Sequence, residues 1–150
     1  MNTDEAKKFL KSLEGEWSTA SEGPVGMAGT TKNVAVGEYA LALDSIANVQ
    51  GAEIHGHLLL NLDEAGGEFH AVGVNSRINS MTQMRGKLGA ANIMVLEYEG
   101  RAPGESADTK VPYRDVTTVE SKDRYTVMSC AKGKADDWVP FLRITNDRIK

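Results

Sequence analysis

The sequence predicts an all-β protein, an antiparallel meander of roughly ten strands closed into a barrel with one short N-terminal helix. Three observations predict it. Helical periodicity is confined to the chain before Gly15. Beyond it, short runs of β-type residues alternate with turn-forming stretches. No helix separates the runs, and parallel strands need such crossovers, so neighbours in sequence must pair antiparallel. A sheet of that many strands curls or closes, which also removes its edges.

The helix comes first. Ala6, Phe9, Leu10 and Leu13 fall on one apolar stripe, Asn2 and Glu5 have capping-box spacing, and Gly15 sits where a helix ends. The expected strands are 16–21, 30–38, 40–49, 53–62, 68–76, 81–88, 91–99, 111–120, 124–131 and 138–146. Punctuation lies between them in "VQGA", "DEAGG", "LGAA", "ESKD" and "KGKADD". In "LGAA" a tight hairpin at Gly89–Ala90 would use Gly89 at positive φ and pair Met84 with Val95. "GPVGMAG" and "GRAPGESAD" are the loosest stretches and the ones expected to be mobile.

At 150 residues, 41% apolar and 25% charged, the chain reads as a single domain, residues 1–150, large enough to bury a core. A net charge of -4 gives no footprint for nucleic acid. The acidic excess lies before Asn75, and the chain from Arg77 onward is slightly basic. The lone Cys130 has no disulfide partner and reads as a buried strand residue. The N-terminus lacks the basic and then apolar pattern of a secretory signal, and no apolar run approaches the ~20 residues of a membrane span. A cytoplasmic protein without membrane association is the expectation.

Several stretches together carry a family resemblance. They are "FLKSLEGEW", "LLLNLDEAGGEFHAVGVNS", "SMTQMRGKL", "YRDVTTVESKDRYTVMS" and the terminal "FLRITNDRIK". In that order and spacing they resemble the lipocalin-like DUF1579 family of bacterial proteins, over nearly the whole chain. Gly73 replaces a frequent aromatic and Asn75 an acid. The resemblance implies a calycin-type barrel and little about reaction. It also implies that Trp17 packs under Arg148 to close the barrel's narrow end, by cation–π contact and stem packing.

The three histidines are the sharpest chemical feature. His55 and His57 are two apart on one strand, opposite the apolar face of Ile54, Leu58, Leu60 and Leu62, so they point outward. His70 depends on the turn. If Gly66 is the left-handed residue of a bulged turn pairing Asp63 with Gly67, His70 faces the interior with Val72 and Val74. If a four-residue loop links Leu62 to Gly67, His70 joins the other two outside, ~7–8 Å from the nearest at Cα, within reach of a shared zinc though not ideal for one. Val72 and Val74 favour the first register; Phe69 argues against it. No metal site and no cofactor are expected. Haem binding of the nitrobindin type would need a late histidine, and none follows His70.

No nucleophile elbow, zinc-protease, P-loop or dinucleotide motif is present, and no catalytic residue is assigned. Met81, Met84, Met94 and Met128 offer an adaptable apolar lining. Tyr113, Arg114 and Asp115 suggest either a carboxylate anchor or a surface ion pair. The leading expectation is a protein holding a small, mostly apolar ligand in its lumen, with His70, Met84, Val95 and Tyr113 as ligand-binding residues. The alternatives are a non-catalytic module that homodimerises through the barrel wall, and an enzyme of unrecognised type.

Overall fold

The computed structural model describes residues 3–22, 26–65, 67–101 and 109–150, with Ile78 and Asn79 in backbone only. Helix α1 spans Thr3–Ser12. Ten strands follow: β1 Gly15–Glu22, β2 Met27–Val36, β3 Ala40–Val49, β4 Ala52–Asp63, β5 Glu68–Asn75, β6 Ile78–Ala90, β7 Ile93–Arg101, β8 Lys110–Ser121, β9 Arg124–Lys132 and β10 Trp138–Arg148. Each pairs antiparallel with its sequence neighbours, and β10 pairs with β1, closing the barrel. The lipocalin-like all-β architecture with one short helix is therefore the architecture found.

The predicted helical stripe forms as expected: Ala6, Phe9, Leu10 and Leu13 are buried. They plug one end of the barrel and join Trp17, Leu41, Leu60, Leu62, Phe69 and Leu96 in a dry core. The last carbonyls of a helix lack internal partners, and here the barrel supplies them. Trp17 Nε1 donates to Leu13 O at 3.0 Å, and Asn33 Nδ2 donates to the same oxygen at 2.8 Å. Arg148 donates to Ser12 O and Glu14 O at 3.3 and 2.8 Å, and to Lys122 O in the β8–β9 turn at 2.7 Å. Its guanidinium lies 4.2 Å from the centre of the Trp17 ring, and Arg148 and Trp17 are partners in the β1–β10 register. Gly15, at φ 127°, must be glycine: a Cβ would lie 2.4 Å from Arg148 Nη1.

Two register details depart from expectation. The β4–β5 ladder pairs Leu62 with Phe69 and Asn61 with His70. Neither expected turn is formed; a tight loop holds Gly67 N against Asp63 O at 2.8 Å, and Gly67 carries the positive φ. This register puts Phe69 and Ala71 in the core and turns His70, Val72 and Val74 outward. The β6–β7 hairpin turns at Ala91–Asn92, after a bulge between Leu88 and Ala90. Gly89 therefore lies in the strand without a positive φ, and Met84 is not opposite Val95, which pairs with Lys87. The expectations for Asn2, for Gly66 and for most of the two loosest stretches lie outside the described residues.

Two other glycines shape the cylinder. A Cβ on Gly29 would lie 2.0 Å from Ile46 O, and one on Gly86 only 1.7 Å from Val95 O. At these points neighbouring backbones approach more closely than any side chain permits, which lets the sheet bend into a small barrel.

Candidate ligand-binding site

The end of the barrel away from α1 is not filled. A cavity of about 470 Å³ opens above the floor formed by Tyr125, whose ring meets Trp17 edge-on at 4.7 Å. Alternation along each strand builds its wall. One part is apolar, from Leu43, Ile54, Leu58, Met84, Val127 and Ile144. The other is hydroxyl- and amide-bearing, from Thr19, Thr31, Ser45, Asn75, Tyr98 and Asn146. Gly56 and Gly73 contribute no side chain and leave room. His57 touches the wall through its strand, but its imidazole is turned outward onto Asp44. No Lys or Arg among the described residues lines the cavity.

The polar lining is ordered by hydrogen bonds. Thr19 donates to Asn146 Oδ1 at 2.7 Å. Its single proton is thereby used, so the 2.8 Å contact between the two threonines has Thr31 as donor. Below them, Asn33 Nδ2 also donates to Tyr125 Oη at 3.1 Å, leaving Asn33 Oδ1 the one buried side-chain oxygen without a partner among the described residues. Burial pushes the Tyr125 phenol up to about 12.

On the far wall Tyr98 stacks on Tyr113 at 5.4 Å, and Tyr113 meets Phe141 edge-on at 5.8 Å. The Tyr98 hydroxyl donates to Asp115 Oδ1 at 3.2 Å. Burial raises the Asp115 carboxyl above its ordinary range, while hydrogen bonds from Ser129 and Tyr98 pull the other way. Burial, with the field of Asp115, pushes the Tyr98 phenol far up. Tyr98 stays a neutral phenol at any ordinary pH, and its proton is committed to Asp115.

The expected site residues divide. Met84 lines the cavity, and Tyr113 is buried behind Tyr98, its hydroxyl donating to Arg101 O. His70 does not face the lumen: it lies opposite Asn61 and Arg85 on the outer wall. Val95 is also outside, between Lys87 and Val116. Arg114 and Asp115 are not a pair, because adjacent strand residues face opposite ways. Arg114 bonds Glu97 at 2.5 Å outside, over the Trp138 ring, while Asp115 points in. Met94 is core, and Met81 is exposed. Cys130 is buried, and burial raises its thiol. Tyr98 and Asn146 were missed, and Asp115 was singled out only beside Arg114. Tyr98 alternates in phase with Met94 and Leu96, which was the signal available for it.

A short closed barrel, plugged by a helix at one end and hollow at the other, is a lipocalin-like protein. The family described as Protein of unknown function (DUF1579) matches residues 2–148, and the chain belongs to it. No curated protein matches. Among solved structures, Rv2717c from M. tuberculosis superposes with a TM-score of 0.68 at 14% identity, covering 97% of this chain and 98% of that one. The S-type phycobiliprotein lyase CPES from Guillardia theta gives 0.62 at 12% identity, over 97% and 93%. EF1p2_mFAP2b bound to DFHBI gives 0.54 at 12%, over 95% and 98%. At these identities the likeness is one of fold. Among the described residues no helix is long and apolar enough to cross a membrane.

Proposed function

We propose that this protein binds a small, uncharged and mostly apolar molecule in the hollow half of its barrel. The observation that carries this is the cavity of about 470 Å³ with a neutral lining. Its volume falls in the range of small-molecule sites, as does its mix of apolar wall and a few placed polar groups. An anionic ligand would find no cation among the described residues lining the cavity and would meet Asp115 behind Tyr98. Met84 supplies adaptable contact, Tyr98 and Asn146 supply hydrogen bonds, and Tyr113 holds Tyr98 from behind. EF1p2_mFAP2b, a barrel of similar shape, is itself bound to a small molecule. The lone, buried Cys130 supports a reducing compartment such as the cytoplasm.

The test is titration with the neutral dye prodan, whose emission reports an apolar site, beside native mass spectrometry of fresh protein. Saturable binding is expected in the wild type. Gly73→Phe should weaken it by about tenfold or more, since the new ring occupies the lumen while its Cβ meets the mobile tip of Leu58 at 3.1 Å and His57 O at an ordinary 3.7 Å. Absence of saturable binding, with no retained mass, would reject the reading.

A specific observation supports a second reading, the homodimer. Val34, Ala42, Leu59 and Val72 stand side by side across β2–β5 on the outer wall, and the three larger ones are exposed. Such a ladder suits an isologous contact with a second copy. Sedimentation velocity should then give a dimer that Leu59→Glu converts to monomer; a wild-type monomer at 100 μM (roughly ten times a micromolar-range Kd) would dismiss it.

A further inference from the structure

The ladder between β6 and β7 stops well short of the ends of both strands. The β6–β7 ladder runs from Ala90 and Ile93 to Arg85 and Glu97 and stops. Both strands continue: β6 reaches back to Ile78 and β7 forward to Arg101. Over this stretch each keeps its other neighbour, Thr82–Gly86 on β5 and Tyr98–Arg101 on β8. Among the described residues no further pair joins β6 to β7, so the two strands part and leave a seam.

A groove of about 790 Å³ follows this seam on the outside. Its lining includes Gln83 and Glu99, which point outward, and three inward residues, Thr82, Met84 and Tyr98. The same three line the lumen. Along the seam, therefore, only a layer of side chains separates solvent from the cavity. Where two strands share a continuous ladder, a lateral opening must break its hydrogen bonds cooperatively, each costing about 1 kcal/mol net and more if left unmade. At the seam that cost is already met by the fold.

The two sides of the seam differ in stiffness. Tyr98 is fixed, stacked on Tyr113 and hydrogen-bonded to Asp115. Met84 is an unbranched thioether with three rotatable bonds, free to change rotamer on a nanosecond scale. We propose that the β6–β7 seam is the lateral entrance to the lumen, with Met84 the moving leaf against the fixed ring of Tyr98. The inference rests on the binding reading above: the same uncharged apolar molecule exchanges through this opening, its polar groups meeting Thr82 and the neutral phenol of Tyr98 on the way.

Stopped-flow prodan binding tests it. Met84→Ala removes the leaf and should raise the association rate about fivefold or more. In a Cys130→Ala background, Gln83→Cys with Glu99→Cys places thiols on the two outer lips at the next outward register position. Their disulfide, which requires Cα atoms within ~7 Å, holds the lips together. It should slow association and dissociation in parallel by about tenfold, leave Kd within about twofold, and be reversed by dithiothreitol. Ala52→Trp, on the β3–β4 rim beside Ile54, should leave the association rate unchanged. Normal prodan affinity with an unaltered rate in Met84→Ala would overturn the entrance and leave binding intact. So would a slowed rate in Ala52→Trp. A wild type that binds no prodan would instead remove the binding reading, and the entrance with it.

Discussion

Arg148→Met is the most direct probe of how the barrel is closed. Methionine retains an unbranched stem over Trp17 but removes every donor. The guanidinium makes three donations to carbonyls, at 2.7, 2.8 and 3.3 Å, joining the C-terminal end of α1 to the β8–β9 turn. It also stands 4.2 Å from the Trp17 ring centre. The side chain is 26% exposed, so each good bond is discounted to about 1 kcal/mol, the long one less, and the ring contact adds about 1. The expected loss is about 3 kcal/mol, or roughly 6–12 °C in Tm for a domain of this size. Arg148→Lys should recover less than half, because one ammonium cannot reach three carbonyls in different directions. Urea unfolding followed by tryptophan fluorescence measures both. A loss below ~1 kcal/mol for the methionine variant would show that Arg148 merely rests on the surface.

Trp17→Ala should cost about 3–5 kcal/mol by the same assay, as it empties the most voluminous fully buried site and removes the donor to Leu13 O; under ~1 would contradict its place at the barrel base. Asp115→Asn should stabilise the protein at neutral pH. A carboxyl whose folded pKa lies above its ordinary 3.8 binds its proton more tightly when folded, so wild-type stability falls as pH rises from about that value through the folded pKa, then levels. The gain in the asparagine variant should therefore vanish at and below pH 3.8; a gain independent of pH would show that burial of the charge is not its cause. Gly86→Ala should cost more than about 2 kcal/mol, since its Cβ would lie 1.7 Å from Val95 O, whereas Gly89→Ala, 4.0 Å from Val95 Cγ2, should change stability by less than ~0.5. Equal effects at the two glycines would mean that β6 does not bend at Gly86.

By itself the sequence determined what local chemistry decides. Helical spacing before Gly15 and turn residues between apolar runs set one helix and ten strands, and alternation within β4 turned His55 and His57 outward. Tertiary structure decided what depends on counting across a turn or on ladders between distant strands. Around His70 the local signals conflicted, Phe69 pointing to one face and Val72 and Val74 to the other. A one-residue change of register exchanges the faces, and burying the larger aromatic against Phe9 and Leu62 settled it. The same holds for Met84 and Val95, separated by a bulge no single strand reveals, for Asp115 turned inward, and for the seam where β6 and β7 each keep one partner and lose the other.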